Sequence, residues 1–418
     1  MELVERHIIT QKHYSFKEID HQCFLAKNLY NYANYIIRQE FIKNGRWIRY
    51  NEIEKQLRES KQIDYISLPN NSSQQILMLL DRNWKSFFQA IKIWRNEKNK
   101  FLGRPKLPKY KVKDGRSIIV FTYNQCRIKD NFIHFPKRSQ IKPLKTKVEN
   151  LQCVRIIPKN NHYIIEIIYR KEVKQKIENN RFIAIDLGVN NLCTITSNDS
   201  KLKPIIINGR HIKSINQFYN KKKAELQSKL PKNRKGSYKI SRLNLKRNCK
   251  IQTELHNISK FIIRYCLEND IRNIIIGKNK NWKQECNIGK RNNQNFIQIP
   301  FETLIRQISY KAELEGISVK MNDEAYTSKC DALALEEIKK HKNYLGKRIK
   351  RGLFQSSTGK RINADVNGSL NILRKVVGDT CFVRDKLVDS RIWYNPVLIR
   401  DLSPNSFEHF LLRGVCNA

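Results

Sequence analysis

Acidic residues are scarce in this 418-residue chain: 38 Asp and Glu stand against 81 Lys and Arg, a formal net charge of +43. A surface that positive repels itself unless a polyanion neutralises it, which points to nucleic acid as the partner. The chain also lacks any Cys-x-x-Cys pair. Its ten cysteines are scattered, and several, such as Cys193 and Cys266, sit inside apolar runs. That usage excludes a disulfide frame and fits free thiols in a reducing compartment. No apolar run reaches the length of a membrane span, and the N-terminus carries no apolar leader. These absences lead us to expect a cytosolic or nucleoid-associated protein with no membrane partner. What the chain does have is 40% apolar residues, so it is not a disordered polycation, and enough length for roughly two to four domains.

Hydrophobic periodicity organises the rest. A strand-like start ends at residue 14. From residue 16 to 44, Phe24, Leu25, Leu29, Ala33, Ile36 and Ile37 recur at helix spacing. Further helices are expected over 50–60 and from about Ser72 to 98, which makes 15–102 a helical module. GRPKLPKYKVKDGR, residues 103–116, is a basic Pro/Gly segment that leads into short alternating strands ending near Arg170. Those strands suggest a small barrel or half-barrel able to grip a phosphate backbone. A polar linker, 171–180, follows.

The stretch RFIAIDLGVNNLCTIT, residues 181–196, then delivers Asp186 at the tip of a buried strand, just before a tight turn at Gly188. Strands are expected at 182–186, 191–196 and 203–207, then a basic helical hairpin over 211–267 broken at LPKNRKGS. Arg242 and Arg247 lie on that hairpin and are candidate nucleic-acid contacts. Strand 272–277, helix 301–315 and strand 317–322 should place two parallel strands side by side. A last helix starts near Asn363, and the tail, 377–418, is weakly patterned. This order is that of an α/β RNase H-like core. In such a core three distant carboxylates can meet at one sheet edge and hold divalent cations. Asp186 is the first and Asp365, in the opening turn of the last helix, the third. The second is displaced: the fourth strand ends in Gly277 where an acid is expected. Glu324 lies one strand over, about 4.8 Å away, and can fill the same volume. Asp323 is its rival, with Glu302 and Glu285 more remote.

AIDLGVNNL, IIIGKNKNWKQECNIGKRNNQNFIQIPFETL, YKAELEGISV, DEAYTSK, RIKRGLF and INADVNGSLNILRK resemble the TnpB (OrfB) family of transposon-encoded RNA-guided nucleases, which is related to type V CRISPR effectors. The resemblance covers most of 180–376. It implies a RuvC nuclease domain over 171–376, with an N-terminal wedge β-barrel (1–14 and 103–170) interrupted by the helical recognition insert 15–102. It also implies a catalytic, metal-binding triad of Asp186, Glu324 and Asp365 using Mg2+ or Mn2+, in a subgroup whose second acid has moved to Glu324. Many relatives carry two zinc-binding cysteine pairs before the last acid. Here 325–362 holds only Cys330, so no zinc is expected. The implied partners are a transposon-derived guide RNA and target double-stranded DNA with a short adjacent motif, in a prokaryotic cytoplasm (nucleoid-associated) and with no small-molecule substrate. Arg38, Lys92, Arg95, Arg104, Lys106, Lys109 and Lys111 are candidate nucleic-acid contacts, and Tyr123 a candidate stacking residue. The alternatives are a nuclease-inactive RNA-guided DNA-binding repressor and a conventional DNA transposase.

Overall fold

A computed structural model describes residues 1–279, 289–384 and 391–400. The chain forms two compact units, 1–171 and 172–418. Glu285, the GKNKNWKQ stretch beyond Asn279 and most of the tail lie outside the described residues.

The first unit runs β1 (Glu2–Thr10), α1 (Phe16–Asn44), α2 (Tyr50–Glu59), α3 (Ile63–Ser67), α4 (Asn70–Asn96), β2 (Ile119–Thr122), β3 (Arg127–Lys129), β4 (Phe132–His134), β5 (Leu144–Lys145), β6 (Leu151–Lys159) and β7 (His162–Arg170). α1 buries Ile19, Cys23, Ala26, Leu29, Tyr30, Ala33 and Ile37, and stops at Gly45, whose left-handed φ of 68° lets its N–H return to the Phe41 carbonyl. The strands make an antiparallel sheet ordered β1-β7-β6-β2 and a separate three-stranded sheet β3-β4-β5. Both sheets are open. β1 pairs along the whole length of β7, whereas β3, β4 and β5 are too short to close a barrel around it. Helices and strands share one core, in which Leu29, Trp84, Phe121 and Ile165 are fully buried.

The basic segment 103–116 is held against α1 by a row of side chains spaced along that helix. Lys27 Nζ donates to the Lys113 carbonyl (2.8 Å) and Asn34 Nδ2 to the Pro108 carbonyl (3.0 Å). Asn31 both donates to the Lys111 carbonyl (2.9 Å) and accepts from its N–H (2.8 Å), as a neighbouring strand would. Lys106, Lys109 and Lys111 are left exposed.

The second unit runs β8 (Phe182–Leu187), β9 (Asn191–Ser197), β10 (Ile205–Asn208), α5 (Arg210–Ser228), α6 (Tyr238–Glu268), β11 (Asn273–Gly277), α7 (Lys290–Gln298), α8 (Phe301–Leu314), β12 (Ser318–Asn322), β13 (Lys347–Lys350), β14 (Leu353–Gln355), β15 (Arg361–Asn363), α9 (Ala364–Val377), α10 (Asp379–Arg384) and β16 (Val397–Ile399). Six strands make one sheet, ordered β12-β11-β8-β9-β10-β16. β8, β9 and β10 are antiparallel, while β11 is parallel to both β8 and β12. Ile183 and Ile185 of β8 pack with α6 and α8 on one face. Ala184, of opposite parity, packs with Val366, Leu370 and Leu373 of α9 on the other. β16 is a strand the weak pattern of the tail does not announce. It pairs in parallel with β10, and Trp393 just before it is fully buried.

Between β12 and α9 the chain is tied by buried carboxylates. Asp331, fully buried, accepts from the Leu333 N–H (3.1 Å), the Ser356 hydroxyl (2.8 Å) and the Ser357 N–H (2.7 Å). Glu336 accepts from the N–H groups of Asp331 (2.7 Å) and Leu345 (2.9 Å). These bonds satisfy both acids and join chain positions about 25 residues apart, as a bound metal would. Among the described residues, no helix is long and apolar enough to cross a membrane.

Two expectations follow. Trp84→Ala, which empties the pocket formed with Phe41, Phe87 and Phe88 and orphans the side-chain Oδ1 of Asn34 (3.1 Å from Nε1), should cost about 3–5 kcal/mol in thermal or denaturant unfolding. Elemental analysis of the purified protein should find no stoichiometric zinc, and finding it would overturn the carboxylate-tied reading of 325–362.

Candidate active site

The sheet register brings the first two acids together. β11 runs beside β8 with Ile276 opposite Ile185, so Gly277 follows at the level of Asp186. On the other side Gly277 pairs with Asn322, and Glu324 lies two residues further on. A Cβ built on Gly277 would stand 3.1 Å from Glu324 Oε2 and would collide with Ile372 of α9. The place an acid at 277 would occupy is thus already filled by the Glu324 carboxylate. Asp186 points at α9, where a Cβ on Gly368 would stand 2.9 Å from its Oδ2. Only glycine allows so close an approach. Asp365 lies three residues before Gly368, on the same side of the helix.

Glu324 and Asp365 are each held by their own set of partners. Glu324 has its N–H on Asn279 Oδ1 (3.1 Å) and its carbonyl on the Thr327 hydroxyl (2.8 Å). Lys375 Nζ donates to the flanking carbonyls of Asp323 (2.9 Å) and Ala325 (2.8 Å). Asn363 caps α9, its Oδ1 accepting from the Asp365 N–H (2.9 Å). The Asp365 carboxylate accepts from Asn191 Nδ2 (2.6 Å), which follows the Gly188 turn, and from the Arg348 guanidinium (3.3 Å) on β13. Asn191, Asn279, Arg348 and Lys375 are not foretold by the sequence, because each reaches its acid across a long chain separation. Of the rival acids, Asp323 is exposed and Glu302 pairs with Lys278 at 2.7 Å.

Burial, reinforced by the charges of Glu324 and Asp365, pushes the Asp186 carboxyl up to about 8. Burial and then Asp323 push Glu324 up to about 7, against the opposing charge of Lys375. The repulsion between Asp186 and Glu324 is one interaction, and it raises whichever group loses its proton second. Among the described residues no three acidic, histidine or cysteine side chains stand close enough to hold one metal ion together. The acids are instead coupled by charge, with Asp365 engaged by Asn191 and Arg348. The donor chemistry still fits a divalent cation. The oxygens are hard, and two crowded carboxyls held high are what a cation beside them would relieve.

The nucleic-acid candidates divide. Lys92, Arg95, Arg104, Lys106, Lys109, Lys111 and Arg242 are exposed, and so is Tyr123, at 64%. Two arginines are engaged inside the protein. Arg38 donates to the Pro108 carbonyl (3.3 Å) and lies over the Tyr110 ring. Arg247 donates to Asn216 Oδ1 (2.9 Å) and the Gln298 carbonyl (3.0 Å), tying α6 to α5.

A carboxyl raised on folding binds its proton more tightly in the native state, so its ionisation costs stability as pH climbs from the unfolded value toward the folded one. The ion-free protein should therefore lose stability between about pH 4 and pH 8. Asp186→Asn should raise the melting temperature at pH 8 and leave it near the wild-type value at pH 4, as read by calorimetry without divalent ions.

Comparison with known proteins follows the same division of the chain. The family model OrfB_IS605, described as a probable transposase, matches residues 162–283, which carry β8 to β11 and Asp186. The model described as the Cas12f1-like TNB domain matches residues 301–372, which carry Glu324 and Asp365. The TnpB-like protein ORF457 of Acidianus two-tailed virus is 22% identical over 394 residues, spanning 85% of this chain and 82% of the viral protein. A solved Cas12f1–sgRNA–target DNA complex shares the fold, with a TM-score of 0.50 at 15% identity over 85% of this chain and 81% of that one. The two family matches cover the sheet core from β8 into α9, and the viral relative extends the likeness over most of the sequence, so the chain is similar to TnpB (OrfB) proteins through both parts that carry the acids.

Proposed function

We propose that the protein is the RNA-guided DNA endonuclease of a transposon, acting by divalent-metal-dependent phosphodiester hydrolysis in a RuvC-like site. The observation that carries this reading is the Glu324 carboxylate at Gly277 and the Asp186 carboxylate at Gly368, coupled to each other by charge, with Asp365 one helical turn before Gly368. Asp186, Glu324 and Asp365 would hold the Mg2+ or Mn2+. Bound there, the ion would supply Lewis-acid polarisation of the phosphodiester and a water activated for attack. The chain's own part is positional. Asn279, Thr327 and Lys375 fix the backbone around Glu324, and Asn363 and Asn191 orient Asp365.

The partners in this reading are a transposon-derived guide RNA and target double-stranded DNA beside a short motif, in a cytoplasmic, nucleoid-associated setting. Base pairing would supply the sequence specificity and the protein would read backbone shape. The related Cas12f1 structure contains an sgRNA and target DNA. The first unit would then serve as wedge and recognition module, with the exposed lysines along α1 facing a sugar-phosphate backbone. A second reading, a nuclease-inactive RNA-guided repressor, draws on the engagement of Asp365 by Asn191 and Arg348.

The two readings separate in one assay with the guide RNA, a matched plasmid and Mg2+. The wild type should cut and chelation should stop it. Glu324→Gln should lower the cleavage rate by more than about a hundredfold, beyond the usual effect of losing a group that only supports a metal ligand, with DNA binding unchanged. A wild type that binds but never cuts would favour the repressor, and full cutting by Glu324→Gln would remove Glu324 from the triad.

A further inference from the structure

A cavity of about 660 Å³ opens beside Asp365, within the size range of ligand sites. Three arginines from separate parts of the second unit line it: Arg210 at the start of α5, Arg348 on β13 and Arg351 in the β13–β14 turn. All three are exposed. Asp365 is the one acidic lining residue, and Arg348 already pairs with it at 3.3 Å. Arg210 and Arg351 have no acidic partner among the described residues. Three guanidiniums around one carboxylate leave an excess positive charge that repels itself until an anion enters. Planar guanidinium forks match phosphate oxygens better than lysines do. Asn190, Asn191 and Asn363 make the wall around Asp365 polar, and the apolar part of the lining includes Val189, Ile206 and the 396–398 segment. Leu398, 46% exposed on β16, and the neighbouring Pro396 face the same cavity.

We propose that this cavity is a nucleotide subsite for the substrate strand. The arginines take a backbone phosphate, and the wall made by 396–398 takes the attached sugar or base. Because Arg348 bridges from the cavity to Asp365, the phosphate held here is a neighbour of the one at the carboxylates. β16 thereby acquires a role beyond completing the sheet. The proposal rests on the nucleic-acid reading given above, but not on catalysis.

Binding of a labelled single-stranded DNA oligonucleotide to the full chain, measured across salt concentrations without divalent ions, tests the assignment. Each lost arginine–phosphate contact flattens the salt dependence of a single strand by about 0.7 in the log–log slope. Arg210→Gln with Arg351→Gln should therefore lower the slope by about 1.4, and each change alone should weaken binding by about tenfold. Both residues are exposed, so unaltered melting temperatures are expected. Leu398→Asn should weaken binding with the slope unchanged. An unaltered slope in the double variant would overturn the phosphate assignment, and unaltered affinity in Leu398→Asn would overturn the nucleotide form of the ligand. Saturable binding of deoxyadenosine monophosphate alone, lost in the double variant, would overturn the strand assignment in favour of a free nucleotide. If the wild type never cuts DNA but the slope falls as expected, the nuclease reading fails and the subsite stands.

Discussion

Like charges brought together at a sheet edge repel, and the repulsion between Asp186 and Glu324 sets the terms for the second unit. Strand register alone would place these acids side by side. Burial deepens the conflict by removing the water that would otherwise screen them. The surroundings answer in two ways. Glycines at 277 and 368 remove the side chains that would push the carboxylates apart. Lys375, from α9, puts a positive charge behind Glu324 while gripping the carbonyls on either side of it. The edge is held in a high-energy arrangement by apolar packing on both faces of the sheet, from α6 and α8 on one side and α9 on the other.

The positions of the acids were readable because local patterns mark them. An apolar strand ending in Asp186 and broken by the Gly188 turn has few other interpretations. Asn363 before a periodic apolar run announces a capped helix with Asp365 in its first turn. Glu324 required one more step, the spacing of parallel strands, and the Gly277 vacancy makes sense only once both are considered together. The helical module and the basic hairpin were equally plain from periodicity, with boundaries within a few residues of those observed.

What stayed hidden depends on pairs remote in the chain. Three residues, Val397 to Ile399, carry too little pattern to mark a strand, and it is the exposed length of β10 that recruits them. The row Lys27, Asn31 and Asn34 looks like an ordinary polar helix face until the 103–116 segment is laid along it. Short alternating strands suggested a small barrel or half-barrel, and no local pattern announces that β1 pairs with β7 over nine residues, a contact between the two ends of the unit. Ser356 and Ser357, the partners of buried Asp331, are hydrogen-bond donors that no spacing rule would single out.

α9 also links the acids mechanically. Asp365 sits in its first turn, Gly368 leans on Asp186, and Lys375 reaches the Glu324 loop about 15 Å along the axis from Asp365. The helix is therefore a single rod bearing on three levers. A slip along its axis by a fraction of an ångström would shift all three carboxylates at once, whereas independent loops would let each drift alone. Anything that seats or unseats this rod would act as a common adjustment for the whole cluster.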